Sequence, residues 1–151
     1  MDVICHFSKT KLTQHHLLFC STHVLQGSSD SNKRDEAIRK FQNASNRKPA
    51  VFVITLRSGN VGITLTAASR VYLLEPALDP AVEVQAAGRI HRLGQNKPCH
   101  VVKFAFKKSY EENVIKLHKK ILAGKVSIVD GFVTSEAMKI LADGLRYSSR
   151  Y

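Results

Sequence analysis

The sequence predicts a three-layer α/β domain on a mainly parallel sheet, and three observations carry that expectation. Apolar runs of strand length alternate with amphipathic stretches of helix length. The runs, such as Ala50-Val51-Phe52-Val53-Ile54 and Val71-Tyr72-Leu73-Leu74, are continuous in apolar character, which is how strands covered by helices on both faces read. A chain of 151 residues with 44% hydrophobic and 23% charged residues is one globular domain's worth, enough to bury a single sizeable core.

Taken in order, residues 1–16 show no clear period and are expected to form a poorly defined segment. A strand is expected over 17–20 and a short one over 23–26. Over 32–43, Ala37, Ile38 and Phe41 share one stripe with Lys33, Arg34, Arg39 and Lys40 around it, a surface helix covering the sheet. A strand over 50–55 runs into a glycine-containing loop, and a second over 70–74 is stopped by Pro76. The Leu78-Asp79-Pro80 turn then launches a helix over 81–93. A strand over 100–106 and a helix over 110–122 follow, the helix turning Val114, Ile115, His118, Ile121 and Leu122 inward. After Gly124 the pattern loosens until Ala137, Ile140, Leu141 and Leu145 mark a short helix over 135–145. The chain so divides into an N-terminal segment 1–16, a lobe 17–123 and an extension 124–151.

A formal net charge of +11 implies attraction to a polyanion, and nucleic acid is the expected partner. Four tyrosines and seven phenylalanines, most of the latter at core positions, favour phosphate-backbone contact over base stacking. No apolar stretch approaches bilayer-spanning length and no charged-then-apolar leader opens the chain, so no membrane is expected as partner. Cys5, Cys20 and Cys99 have no C-x-x-C pairing, which argues against a zinc site or disulfide framework and fits a reducing compartment. The histidines are scattered, so no metal site is expected, and His118 reads as a core histidine.

The most informative string is Gln85-Ala86-Ala87-Gly88-Arg89-Ile90-His91-Arg92-Leu93-Gly94-Gln95. On a helix Gln85, Arg89 and Arg92 fall at i, i+4 and i+7 on one stripe, whose two permanent, planar cations suit a polyphosphate or, on the plainer reading from spacing alone, form a solvated basic face. Upstream, Thr55-Leu56-Arg57-Ser58-Gly59-Asn60-Val61-Gly62 follows a strand, where glycines let backbone N–H groups approach phosphate oxygens. Ligands of parallel sheets bind at such carboxyl ends.

In that order and spacing, these segments resemble motifs V and VI of the superfamily-two helicases, and specifically of the Swi/Snf-type chromatin-remodelling ATPases. Gln85 to Gln95 is similar to the family's Q-x-x-x-R-x-H-R-x-G-Q, and Arg57 to Ala68 to its R-x-G-x-x-G-x-x-L-T-A-A. Leu74-Glu75-Pro76-Ala77-Leu78-Asp79-Pro80 and Gln95-Asn96-Lys97-Pro98 most resemble the branch with linker-histone, plant-homeodomain and RING modules beside the ATPase. The resemblance implies a RecA-like second lobe in a nuclear DNA translocase, with ATP and Mg²⁺ held mainly by a first lobe. Arg89 and Arg92 would be arginine fingers against the γ-phosphate, Gln85 would sense cleft closure and Gly62 would line the nucleotide cleft. Thr55, Arg57, Ser58, Gly59 and Asn60 would touch the backbone of duplex DNA or chromatin.

Two departures qualify this expectation. Neither a G-x-x-x-x-G-K-[ST] loop nor a D-E-x-x box at the end of an apolar strand is present; Gly124-Lys125 lacks the upstream glycine, and Asp35-Glu36 sits inside an amphipathic helix as a solvated pair. Only Ser21-Thr22-His23 separate the strands that resemble the family's at 17–20 and 24–26, where the family has a helix, so the N-terminal part looks shortened, as in a fragment, splice product or incomplete gene model. The chain alone is therefore expected to be inactive, an ATP hydrolase only within a two-lobe protein. The alternatives are a non-catalytic module binding nucleic acid or a partner lobe, and a lobe of a strand-separating helicase.

Overall fold

Five strands, β1 (Asp2–His6), β2 (Ser21–Leu25), β3 (Ala50–Thr55), β4 (Arg70–Leu73) and β5 (His100–Lys103), form one sheet in the order β2-β3-β1-β4-β5, with all neighbours parallel. The computed structural model describes residues 1–6, 20–25, 30–44, 49–55, 62–129 and 132–144. Helices α1 (Ser31–Gln42), α2 (Pro80–Ala87), α3 (Tyr110–Leu122) and α4 (Ser135–Ala142) accompany the sheet, and β6 (Ile128–Val129) pairs antiparallel with β7 (Phe132–Val133) in a small ladder that the sequence did not announce. The architecture is the mainly parallel α/β sheet with helices that the apolar runs predict.

The N-terminal expectation is corrected. Residues 2–6 are the central strand of the sheet, bonded on one side from Asp2↔Val51 to His6↔Thr55 and on the other from Asp2↔Arg70 to Cys5↔Leu73. Asp2-Val3-Ile4-Cys5-His6 is too short to show a period, so tertiary pairing decides its state. The strand expected over 17–20 falls at 17–19 outside the described residues. Since β1 lies upstream, Ser21-Thr22-His23 is not the whole link between the first two strands, and the inference of a shortened N-terminal part loses its premise.

From β2 to β3, β3 to β4 and β4 to β5 the chain advances in one direction across the sheet, so right-handed crossovers place α1, residues 62–69 and α2 on the same face. There the main core forms: Phe52, Ile54, Val71 and Leu73 from the strands meet Phe41 of α1, Leu65 and Ala68 of the return segment, and Ala86 and Ile90. Burial of each large apolar side chain contributes about 2 kcal/mol. Phe41 and Phe52 pack edge-to-face at 5.3 Å between ring centroids, with His23 against both. Burial first, and the Lys40 charge second, hold the His23 imidazole below its ordinary pKa.

Local chemistry sets the helix ends. Asp79 accepts from the N–H of Ala81 at 2.8 Å with Pro80 at the first helical position, and Ser109 and Thr134 cap α3 and α4 in the same manner. Gly124 lies at φ +68°, and the bonds Lys125 N–H to Lys120 O and Gly124 N–H to Ile121 O close α3 in a Schellman motif, which accounts for Gly124-Lys125 without any phosphate role. α3 buries Val114, Leu117 and His118, and Leu122 is 80% exposed. The expected inward stripe is thus corrected by one register, since Leu117 and not Leu122 meets Val126, Ala137 and Leu141. Asp35 and Glu36 are exposed partners of Arg34 and Lys40.

Candidate nucleotide and nucleic-acid site

The helix expected over 81–93 ends at Ala87, so Arg89 and Arg92 do not ride on a helical stripe with Gln85. Gly88 caps α2, and the following residues tighten into i→i−3 bonds, Arg89 N–H to Ala86 O and Ile90 N–H to Ala87 O at 3.1 Å. The carbonyl of Arg89 is taken by the N–H of Leu65 at 2.8 Å, a tertiary bond that competes with helix continuation. Gly94 at φ +95° turns the chain toward β5.

Three polar side chains weld this turn to the return segment after β3. Arg92 donates from Nε to Gly88 O and from Nη1 to Thr64 Oγ1, both at 2.9 Å. The Gln95 amide nitrogen lies within 2.7 to 3.1 Å of the carbonyls of Ala68, Thr66 and Ile90, while its oxygen accepts from Lys97 N–H. From the other side, Gln42 at the end of α1 donates to Thr64 O at 3.0 Å and accepts from Ala67 N–H at 2.8 Å. Gln95→Ala is therefore expected to cost about 2 kcal/mol by orphaning backbone carbonyls; a urea titration showing no shift of the midpoint would contradict the stapling role.

Arg89 is half-buried beside exposed Arg92. Burial first, and the Arg92 charge second, push its guanidinium pKa down, yet an arginine stays cationic at neutral pH. Gln85 is exposed on α2, and an added Cβ at exposed Gly62 would meet no atom within 4 Å. Thr55 ends β3 at the carboxyl edge of the sheet, next to the order reversal about β1 where such sheets bind ligands. Arg57, Ser58, Gly59 and Asn60 lie outside the described residues. Thr64, Gln42 and the stapling by Gln95 were not read from sequence; Thr64 and Gln95 stand inside the motif strings, whereas nothing in the pattern marks Gln42.

A second polar cluster supports the turn before α2. Glu83 is buried; one carboxylate oxygen accepts from Ala77 N–H at 2.9 Å and the other pairs with Lys103, with His118 Nδ1 at 3.7 Å. His118 Nε2 lies 2.7 Å from Ala77 O, so that nitrogen donates and Nδ1 faces Lys103 at 3.3 Å as the acceptor. This explains the core histidine in α3. Among the described residues no His, Cys, Asp and Glu side chains gather as a metal-binding group. A groove of about 550 Å³ between α3 and α4 is lined by Lys116, Lys120 and Lys139 but also by Glu136 and Asp143, and it includes none of the motif residues.

A family described as the helicase conserved C-terminal domain matches residues 2–94. The chain belongs to that family. Human Helicase-like transcription factor is 45% identical over 96 residues, 64% of this chain and 10% of that protein. An Arabidopsis thaliana protein described as a putative SWI/SNF-related matrix-associated actin-dependent regulator of chromatin subfamily A member 3-like 1 is 42% identical over 96 residues, 64% of this chain and 11% of that one. DNA repair protein RAD5 of Candida albicans is 37% identical over 95 residues, 62% of this chain and 9% of that one. The relatives thus include a protein whose name is SWI/SNF-related, and the chain spans about a tenth of the length of these relatives. Among solved structures, the C-terminal part of the Fun30 ATPase domain superimposes with a TM-score of 0.66 at 25% identity, over 94% of this chain and 45% of that one, consistent with a RecA-like α/β lobe.

Proposed function

We propose that this chain acts as the second lobe of an ATP-dependent DNA translocase, contributing Arg89 and Arg92 to an ATP whose phosphates and Mg²⁺ are held mainly by a first lobe. The observation that carries this reading is the Arg92 guanidinium, fixed at Gly88 and Thr64 on an exposed turn beside a second arginine. An oriented guanidinium with a second arginine beside it suits charge on a transferring phosphoryl group, and Mg²⁺ would be held by the other lobe. Gln85 would sense closure of the nucleotide cleft and Gly62 would line it. Names of relatives that speak of chromatin and DNA repair support a nuclear role on duplex DNA. The finer placement in the branch with linker-histone, plant-homeodomain and RING modules rests on the strings 74–80 and 95–98. Division into a lobe and an extension near residue 124 is likewise proposed, on the Schellman stop of α3.

Contact with DNA would run through Thr55 and the loop carrying Arg57, Ser58, Gly59 and Asn60, on the phosphate backbone. Binding is then sequence-tolerant, and Arg57→Ala is expected to lower the slope of log affinity against log salt by about one. Fluorescence anisotropy with two unrelated duplexes at several salt concentrations tests this; an unchanged slope in the variant would remove the loop from the interface. The same surface without a first lobe would make the chain a non-catalytic binding module, which duplex binding without any ATP turnover on adding a first lobe would favour.

A further inference from the structure

We propose that Thr64 is the positioning residue for Arg92, setting the direction of its guanidinium before any nucleotide arrives; this rests on the reading of Arg92 as a phosphate-facing cation. Arginine carries five N–H donors. Here Nε is held by Gly88 O within its own turn and one N–H of Nη1 by Thr64 Oγ1 on the neighbouring segment, at 2.9 Å each. The remaining three N–H groups belong to an exposed side chain and have no hydrogen-bond partner among the described residues. They are the ones a ligand oxygen can take.

Two anchors from separate segments define the plane of a planar group, whereas one would leave it free to swing about that bond. Thr64 is itself fixed: its carbonyl accepts from Gln42 of α1, and the next N–H, of Leu65, is bonded to Arg89 O. A β-branched side chain on a backbone so held leaves its hydroxyl few χ1 positions. The line Gln42, Thr64, Arg92 thus runs from α1 across the return segment to the cation. Unanchored, a long exposed side chain spreads over many rotamers and must be ordered at the moment of reaction. A cation oriented beforehand acts without that reorganisation, so the benefit falls on turnover and not on ground-state binding.

The test compares Thr64→Val, which keeps the shape and removes the hydroxyl, with Thr64→Ser, which keeps the hydroxyl, in a two-lobe protein carrying this segment. Thr64→Val is expected to lower kcat about tenfold with KM for ATP changed less than about twofold, the size expected for one hydrogen bond to a charged group. Thr64→Ser is expected to retain most of the turnover. In the 151-residue chain itself, the Arg92 Nη1–H resonances, whose anchor is Thr64 Oγ1, should be distinct in wild type and Thr64→Ser and averaged by rotation in Thr64→Val. Turnover by Thr64→Val equal to or above wild type, with Arg92→Ala inactive, would overturn the positioning role and leave the assignment of Arg92 standing. Full turnover by Arg92→Ala would remove the assignment of Arg92 and the positioning role with it. Equal losses in the Val and Ser variants would point to packing and overturn the proposal too. Should Thr64→Val fail to fold, Thr64→Ala takes its place with the same expectations.

Discussion

Arg92→Ala in a two-lobe protein containing this segment is expected to lower DNA-stimulated ATP hydrolysis by about 10³-fold or more while leaving ATP affinity within a few fold, because a cation of this kind acts on charge that develops during phosphoryl transfer. Under the proposed function, binding of the ground-state nucleotide would draw mainly on the phosphate cradle of a first lobe, so the loss would belong to kcat. Arg92→Lys should recover little. An ammonium on a flexible stem cannot hold the carbonyl of Gly88 and the hydroxyl of Thr64 with one planar group while offering further donors to a phosphate. Single-turnover hydrolysis beside nucleotide titration separates the two quantities. A fall in affinity that matches the fall in rate would make Arg92 a binding group and not a transition-state one.

The second large effect is on stability. Glu83 is 7% exposed and satisfies Ala77 N–H while neutralising Lys103. Glu83→Ala would leave that N–H without a partner and the lysine ammonium charged beside His118, at a cost of about 3 to 5 kcal/mol. For a domain of this size that is a fall in Tm of about 10 °C. Replacing both charges, Glu83→Gln with Lys103→Met, should recover much of the loss, since no buried charge is then unpaired. A thermal melt in which Glu83→Ala costs less than about 1 kcal/mol would show that the cluster does not hold the turn before α2.

These two residues also show what sequence reveals and what it hides. The apolar runs at 50–55 and 70–73 and the helix 110–122 were legible because strands buried in a parallel sheet and helices with an apolar stripe carry their state in local pattern. The central strand Asp2–His6 was not, since a half-polar pentapeptide becomes a strand only through its partners on either side. The arginine string gave the family, but its helical stripe did not survive: the Leu65 N–H drew the Arg89 carbonyl out of the helix, and no local periodicity encodes a bond across 24 residues of chain. Glu83 reads locally as an ordinary acidic residue in the first turn of α2, favourable to the helix dipole, and only the fold brings Lys103 and His118 to it. Thr64 and Gln42 are hidden for the same reason.

The central claim is that this lobe completes an ATP site it does not itself contain. It is tested most directly by measuring ATP hydrolysis with duplex DNA as a first lobe bearing a phosphate loop is titrated into the 151-residue chain, wild type and Arg92→Ala in parallel. The account predicts no turnover from either lobe by itself, turnover that rises with the mixture, and none from the mixture containing Arg92→Ala. Hydrolysis by the chain without a first lobe, or equal turnover with Arg92→Ala, would contradict it.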